Sequence, residues 1–173
     1  IKSTAAALWK IYAGLTLLCF ILLINFGMNT FEALCTSLSA MSGRGFSPNP
    51  NSLIGQSRSI LWAVTFFMFF AGTSFNLQHQ AWTRFNPFLL FKNEEFRTYF
   101  IAVVVISLLL ACSLFANMHY TFSDSLVHAF FNISSLVSST GCCSVDFAKW
   151  DYTSKILLFA IMLFGSCASS TGG

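Results

Sequence analysis

Charge is what this sequence has least of. Only 9% of its 173 residues are Asp, Glu, Lys or Arg, while 55% are apolar and the mean hydropathy is +0.70. Soluble domains carry about 25% charged residues, so a soluble body of this composition could not cover its own surface with polar groups. The basic residues are scattered and the net charge is only +3. No Lys/Arg run tracks a phosphate backbone, so no nucleic-acid partner is expected. Metal chemistry is equally poorly supplied. His79, His119 and His128 show no ligand spacing. The six cysteines form no C-x-x-C pair, and most lie inside apolar runs, where a thiol packs as a small apolar group. No cleavable signal peptide is evident, because the first apolar run is too long and has no convincing cleavage site.

What is present is long apolar runs, rich in the 21 Phe of the chain. A helix needs about 20 residues to span a bilayer. Four runs qualify: roughly 8–28, 58–79, 97–117, and a fourth from about 152 that breaks early at Gly165. An all-α integral membrane protein is therefore expected.

Between the first and second runs lies TFEALCTSLSAMSGRGFSPNPNS; between the third and fourth lies TFSDSLVHAFFNISSLVSSTGCCSVDFAKWD. Each opens on Thr-Phe and an acidic residue, continues as a helix-like segment too short to span, and reaches serines and a glycine. With Gly45 placed on Gly141, Ala33 falls on Ala129, Ser39 on Ser135 and Ser42 on Ser138. The chain thus reads as two repeats of span, short helix, glycine loop, span. The first covers 1–79 (spans 8–28 and 58–79, short helix 31–42, loop 42–47) and the second 97–173 (first span 97–117, short helix 124–137, loop 138–143, last span from 152). A charged link, 80–96, joins them. Lys2, Lys10, Arg84, Lys92 and Arg97 fall on one side, Arg44, Arg58, Lys149 and Lys155 on the other. The bias places the link in the cytoplasm. Trp9 and Trp82 are expected as anchors at one interface and Trp150 at the other.

Backbone that lacks internal hydrogen bonds survives at membrane depth only where protein surrounds it or where it lines a wet cavity. A short helix returning as an extended strand can aim carbonyls at a shared axis, where they replace a cation's water shell. The helix's C-terminal dipole end also favours a cation. Glycine supplies conformations that a Cβ penalises. A purely structural hairpin is the bland alternative, and its repetition counts against it.

These residues resemble the Trk/Ktr/HKT superfamily of potassium transporters. FEALCTSLSAMSGRGFS is similar to the pore helix and filter of that family's second repeat of four, and HAFFNISSLVSSTGCCSVDFAKWD to those of the third. FKNEEFR resembles the opening of the third repeat, and the tail FGSCASSTGG the small-residue loop that interrupts its last span. The resemblance implies a channel-like potassium (or potassium/sodium) transporter of the bacterial inner membrane. Its filter would be Ser42, Gly43, Arg44, Gly45 and Ser138, Ser139, Thr140, Gly141. Potassium would meet the backbone carbonyls of Gly43, Arg44, Gly45, Ser139, Thr140 and Gly141. A gate loop of Gly165, Ser166, Cys167, Ala168, Ser169, Ser170, Thr171, Gly172 and Gly173 would lie below. The resemblance implies no organic cofactor in this chain. It implies as partners membrane lipid, the remaining repeats of the same protein, a second copy in a homodimer, and a cytoplasmic nucleotide-binding regulatory subunit of TrkA type. Symport coupling to protons or sodium would need the repeats outside this chain. The lack of an initiator Met and the abrupt end at SSTGG lead us to expect a piece of a longer protein.

Two departures stand out. Arg44 takes a place that is normally small, and is expected to point back into protein toward Glu32 or Asp146. Cys142 stands where the family has Phe, so a looser second filter is expected. A vicinal Cys142–Cys143 disulfide demands unusual geometry and is not expected. Two other functions compete with transport. A thiol enzyme would use Cys142 or Cys143 with His128 or His119 as base, yet nothing in the sequence brings ring and thiol together. A structural membrane subunit would need no such serine- and glycine-rich breaks.

Overall fold

The computed structural model describes residues 2–74, 77–78, 91, 93–118, 120–162 and 170. Among these, every regular element is helical. The elements are α1 (Lys2–Asn25), α2 (Thr30–Ser42), α3 (Arg58–Ala71), α4 (Glu94–Met118), α5 (Phe122–Val137), a single 3₁₀ turn (Phe147–Lys149) and α6 (Tyr152–Met162).

Helix starts follow the polar residues between runs. Asn29 caps α2 by accepting from Phe31 N–H, and Glu32 adds an anion to its first turn. Ser57 does the same for α3 through Ile60 N–H. α2 stops because Gly43 takes a left-handed φ of 64° and its N–H bonds back to the Ser39 carbonyl. Gly43 is therefore both the helix stop and the start of the first glycine loop. α3 ends at Gly72, followed by a turn in which Gln78 Nε2 donates to the Phe70 carbonyl at 2.6 Å and to Thr73 Oγ1 at 2.6 Å.

The helices pack in two halves. α1, α2 and α3 touch one another, and α4, α5 and α6 touch one another. α5 also packs on α3 and joins the halves. One core holds Leu23, Ala33, Met41, Val64 and Phe67, together with Val127 and Phe131 of α5. The other holds Leu110, Leu114, Ala129, Ile133, Trp150 and Ile161. Ala33 and Ala129 are both fully buried. Between helices in lipid there is little hydrophobic driving force, so close approach over small residues supplies the contact.

The outside is apolar. Trp9, Leu17, Leu18 and Ile21 on α1, Ile101, Val105, Leu108 and Leu109 on α4, and Ile156 and Phe159 on α6 are exposed. A soluble fold would hide such residues; an integral membrane protein turns them to lipid or to further transmembrane chain. Among the described residues one helix, Glu94–Asn117, is long and apolar enough to cross a membrane unaided; Trp9–Asn25, Arg58–Ala71 and Tyr152–Met162 are shorter apolar helices. The link is mostly outside the described residues, as are Trp82, His119, Cys167 and all of the expected gate loop except Ser170. Trp9 is 71% exposed, in keeping with an interfacial anchor, but Trp150 is 3% exposed. It packs in the second core, because the turn at Phe147–Lys149 folds it under α5 and α6.

Candidate ion-binding loops

Both glycine loops start from the C-terminal end of a short helix, and both spend their N–H groups there. The Ser39 carbonyl takes the N–H groups of Gly43 and Arg44, the latter at 3.3 Å. The Ser135 carbonyl takes those of Thr140 at 2.9 Å and Gly141 at 3.2 Å. Ser39 and Ser135 are the pair matched by the repeat. With these donors turned back to the helix, the carbonyls of the loop are left facing elsewhere.

The backbone sign pattern is shared too. φ is positive at Gly43 (64°) and Gly45 (65°), and at Ser139 (59°) and Gly141 (74°), but not at Arg44 or Thr140 between them. In an ordinary strand successive carbonyls point to opposite sides. Alternating handedness turns every second peptide plane over, which lets successive carbonyls share one side. Ser139 and Ser52 are the non-glycine residues described with positive φ, a conformation that costs a non-glycine residue about 1–2 kcal/mol. Its persistence at Ser139 shows how firmly the surroundings hold the second loop.

The two loops meet. A Cβ built on Gly45 would lie 1.8 Å from the Thr140 carbonyl oxygen, so only glycine fits there. Beside them, Cys143 N–H donates to Ser52 Oγ at 3.2 Å and Leu53 N–H donates to the Cys143 carbonyl at 3.2 Å. Arg58 of α3 pairs with Asp124 of α5 at 2.7 Å. The segments aligned from sequence are thus neighbours in space.

The second loop is the more tightly bonded. Ser135 Oγ donates to the Cys142 carbonyl at 2.7 Å, and the Ser138 and Thr140 hydroxyls bond at 2.7 Å. Cys142 is buried. The expected loosening is therefore not seen: hydrogen bonds do the work that a ring would do. In the first loop, by contrast, Phe46 is 76% exposed and Ser39 Oγ, though buried, has no partner among the described residues. Arg44 also departs from expectation. It is exposed and pairs with neither acid: Glu32 accepts from Asn49, and Asp146 pairs with Lys149. Glu32, on α2, is engaged by Asn49 of the loop arm, and Asp146 by Lys149 three residues on.

Cys142 and Cys143 are free thiols. His128 Nδ1 lies 2.9 Å from Ser144 Oγ rather than at either sulfur, so no thiol–imidazole pair forms. A groove of about 620 Å³ opens between the second loop and α6, lined by Gly141, Cys142, Cys143, Phe147, Leu158 and Phe159 among others. No group of three His, Cys, Asp or Glu able to hold a metal occurs among the described residues, so a cation here would meet carbonyls and hydroxyls. Sequence reasoning missed Ser52, Asn132 and Ser144. Only the serine pair 39/135 carried a signal, through the repeat.

An all-helical membrane protein with two pore-like repeats, whose glycine loops converge, is the class these features define. The chain belongs to the TrkH family: the family model described as "TrkH: Cation transport protein" matches residues 1–173. It is similar to the Trk system potassium uptake protein TrkH of Halomonas elongata, 32% identical over 174 residues, covering 100% of this chain and 36% of the relative. It is likewise 30% identical to TrkH of Escherichia coli strain K12 over 177 residues, with the same coverage of 100% and 36%. The crystal structure of the potassium transporter TrkH from Vibrio parahaemolyticus superposes with a TM-score of 0.94 at 30% identity, over 99% of this chain and 38% of that one. The chain thus spans just over a third of the length of these relatives. The family is one of transporters, not enzymes.

Proposed function

We propose that the chain is the middle part of a potassium transporter, in which loops 42–47 and 138–143 are two of the strands of a carbonyl-lined filter. The carrying observation is the matched alternation of φ at 43/45 and 139/141, with the loop N–H groups turned back to the helix ends. Carbonyls gathered on one side in this way can replace the hydration shell of potassium, at Gly43, Arg44, Gly45, Ser139, Thr140 and Gly141. The relatives are named potassium uptake proteins, which favours potassium over other cations.

On this reading the groove beside the second loop and the exposed faces of α1, α4 and α6 are covered by lipid and by the remaining repeats. Gating by the segment 165–173, pairing into a homodimer, a nucleotide-binding regulatory subunit of TrkA type, symport coupling and an inner-membrane location belong to the same proposal. Rubidium uptake tests it, in cells lacking their own potassium uptake systems and expressing the full reading frame. Uptake is expected, and Gly141→Ser should lower the preference for rubidium over sodium while the protein still inserts. Uptake with unaltered preference in the variant would sink the filter assignment.

A further inference from the structure

The two short helices share one more feature. When Gly45 is placed on Gly141, Glu32 falls on His128. Each of these side chains reaches across to the arm by which its loop leaves the glycine. Glu32 Oε1 accepts from Asn49 Nδ2 at 2.9 Å. His128 Nδ1 lies 2.9 Å from Ser144 Oγ. The chemistry differs, but the helix position and the structural target are the same.

The second tie is the more enclosed. Ser144 is 1% exposed. Asn132, one turn after His128, donates one N–H to the His128 carbonyl at 2.8 Å and the other to Ser144 Oγ at 3.0 Å. A hydroxyl has one hydrogen to give and lone pairs to accept with. With Asn132 supplying a hydrogen to Ser144 Oγ, the serine's own hydrogen is left for His128 Nδ1. The network is complete when the ring is neutral with its proton on Nε2. A proton on Nδ1 would reverse that bond, set two donors on one oxygen, and leave a buried hydroxyl hydrogen without its acceptor, a costly arrangement.

We infer that Glu32 and His128 are positioning residues that fix the outer arms of the two ion-binding loops, and that the His128–Ser144 tie makes the second loop release under acid at the outer face. This rests on the transport reading above. The charged and titratable groups around the ring are Asp124 one turn earlier on α5, Arg58 at the start of α3, and Tyr120, whose ring centroid is 5.8 Å away. On the loop side Cys143 and Asp146 flank Ser144 in sequence, and Asp146 is engaged with Lys149. Asp124 favours an imidazolium and Arg58 opposes it. Burial is the largest influence and, with Arg58, outweighs Asp124, so the ring is held below its ordinary value of 6.5 and stays neutral until the outer face is acid.

The test is rubidium uptake and rubidium/sodium preference against outer pH, from about 8 to about 5, through the ordinary histidine range and below it, because burial lowers this ring's value. It uses the full reading frame in cells without other potassium uptake. The unmutated protein should lose preference on the acid side. His128→Ala should lower preference about five-fold at every pH, the scale of one hydrogen bond, with no acid dependence. His128→Asn keeps an amide oxygen near the place of Nδ1 and cannot take up a proton there, so it should restore preference yet stay flat with pH. Glu32→Ala should lower preference without altering the acid profile. If His128→Ala fails to reach the membrane, Ser144→Ala removes the same contact from the loop side and should show the same loss. Unchanged preference and profile in the variants, with normal uptake by the parent, would overturn the clamp alone. A loss in His128→Ala that His128→Asn does not repair would reduce His128 to packing and overturn it too. No uptake by the parent would instead remove the transport reading, and this inference with it.

Discussion

Gly45 and Gly141 share a left-handed backbone but sit in different surroundings, and substitution should tell them apart. At Gly141 nothing lies within 4 Å of a built Cβ, so alanine meets only the cost of φ = 74°, about 1–2 kcal/mol. At Gly45 the same cost is joined by a backbone oxygen at 1.8 Å, which cannot swing aside as a side chain would. Overpacking of this kind adds about 1–3 kcal/mol. Gly45→Ala should therefore lower the thermal midpoint of the detergent-purified protein clearly more than Gly141→Ala does. Equal shifts would mean that the two loops do not touch as described. Both glycines are marked by the repeat, but the difference between them is not. It depends on which loop presents a carbonyl to the other, and spacing along the chain carries no information on that.

At the scale of elements, the second half is tied together by a polar knot at the start of α6. Asp151 Oδ1 accepts from Ser154 Oγ at 2.6 Å, and Oδ2 accepts from Ser154 N–H at 3.3 Å and from Asn117 Nδ2 at 3.2 Å. Ser154 Oγ also lies 3.1 Å from Ser113 Oγ, so the knot joins α6 to α4. Partial burial pushes the Asp151 carboxyl up, but hydrogen bonds from the Ser154 side chain and backbone, its own backbone and Thr153 outweigh this and hold it below its ordinary value of 3.8. A carboxyl held low in the fold contributes stability above the unfolded value, and that contribution fades as pH falls through the folded value. Unfolding in detergent should thus become easier below about pH 3.8 in the parent. Asp151→Asn should be weaker at neutral pH and lack that part of the acid loss. Parallel pH profiles in the two proteins would show the knot to be inert.

The same scale shows what could be read from the chain beforehand. Ala33 with Ala129, Ser39 with Ser135 and Ser42 with Ser138 betrayed the repeat because most of these are buried helix positions where size and hydroxyl matter. The tie from Ser52 to Cys143 left no trace, since it joins residues 91 apart through one hydroxyl and one N–H. Trp150 misled because an aromatic beside charges looks interfacial, whereas a 3₁₀ turn buries it. Arg44 misled because its expected carboxylates were already engaged by closer groups.

For the whole molecule the remaining question is which way it faces. The two glycine loops meet, and Asn117 near the end of α4 bonds Asp151 beside the second loop's arm, so the charged start of α4, with Glu94 and Arg97, lies at the far end of that span. On the proposed transport reading, the distribution of basic residues would put the start of α4 in the cytoplasm. The loop arms, with Lys149 exposed in the 3₁₀ turn and outside the groove lining, then face outward. Lys149→Cys should react with a membrane-impermeant maleimide in intact cells, above the labelling of the parent's own thiols. A cysteine placed at the exposed Glu94 should react only after the membrane is opened. The reverse pattern would invert the molecule and put the second loop on the cytoplasmic side. The His128–Ser144 tie would then answer to internal rather than external acid, so the labelling experiment also decides from which side pH must be varied to find it.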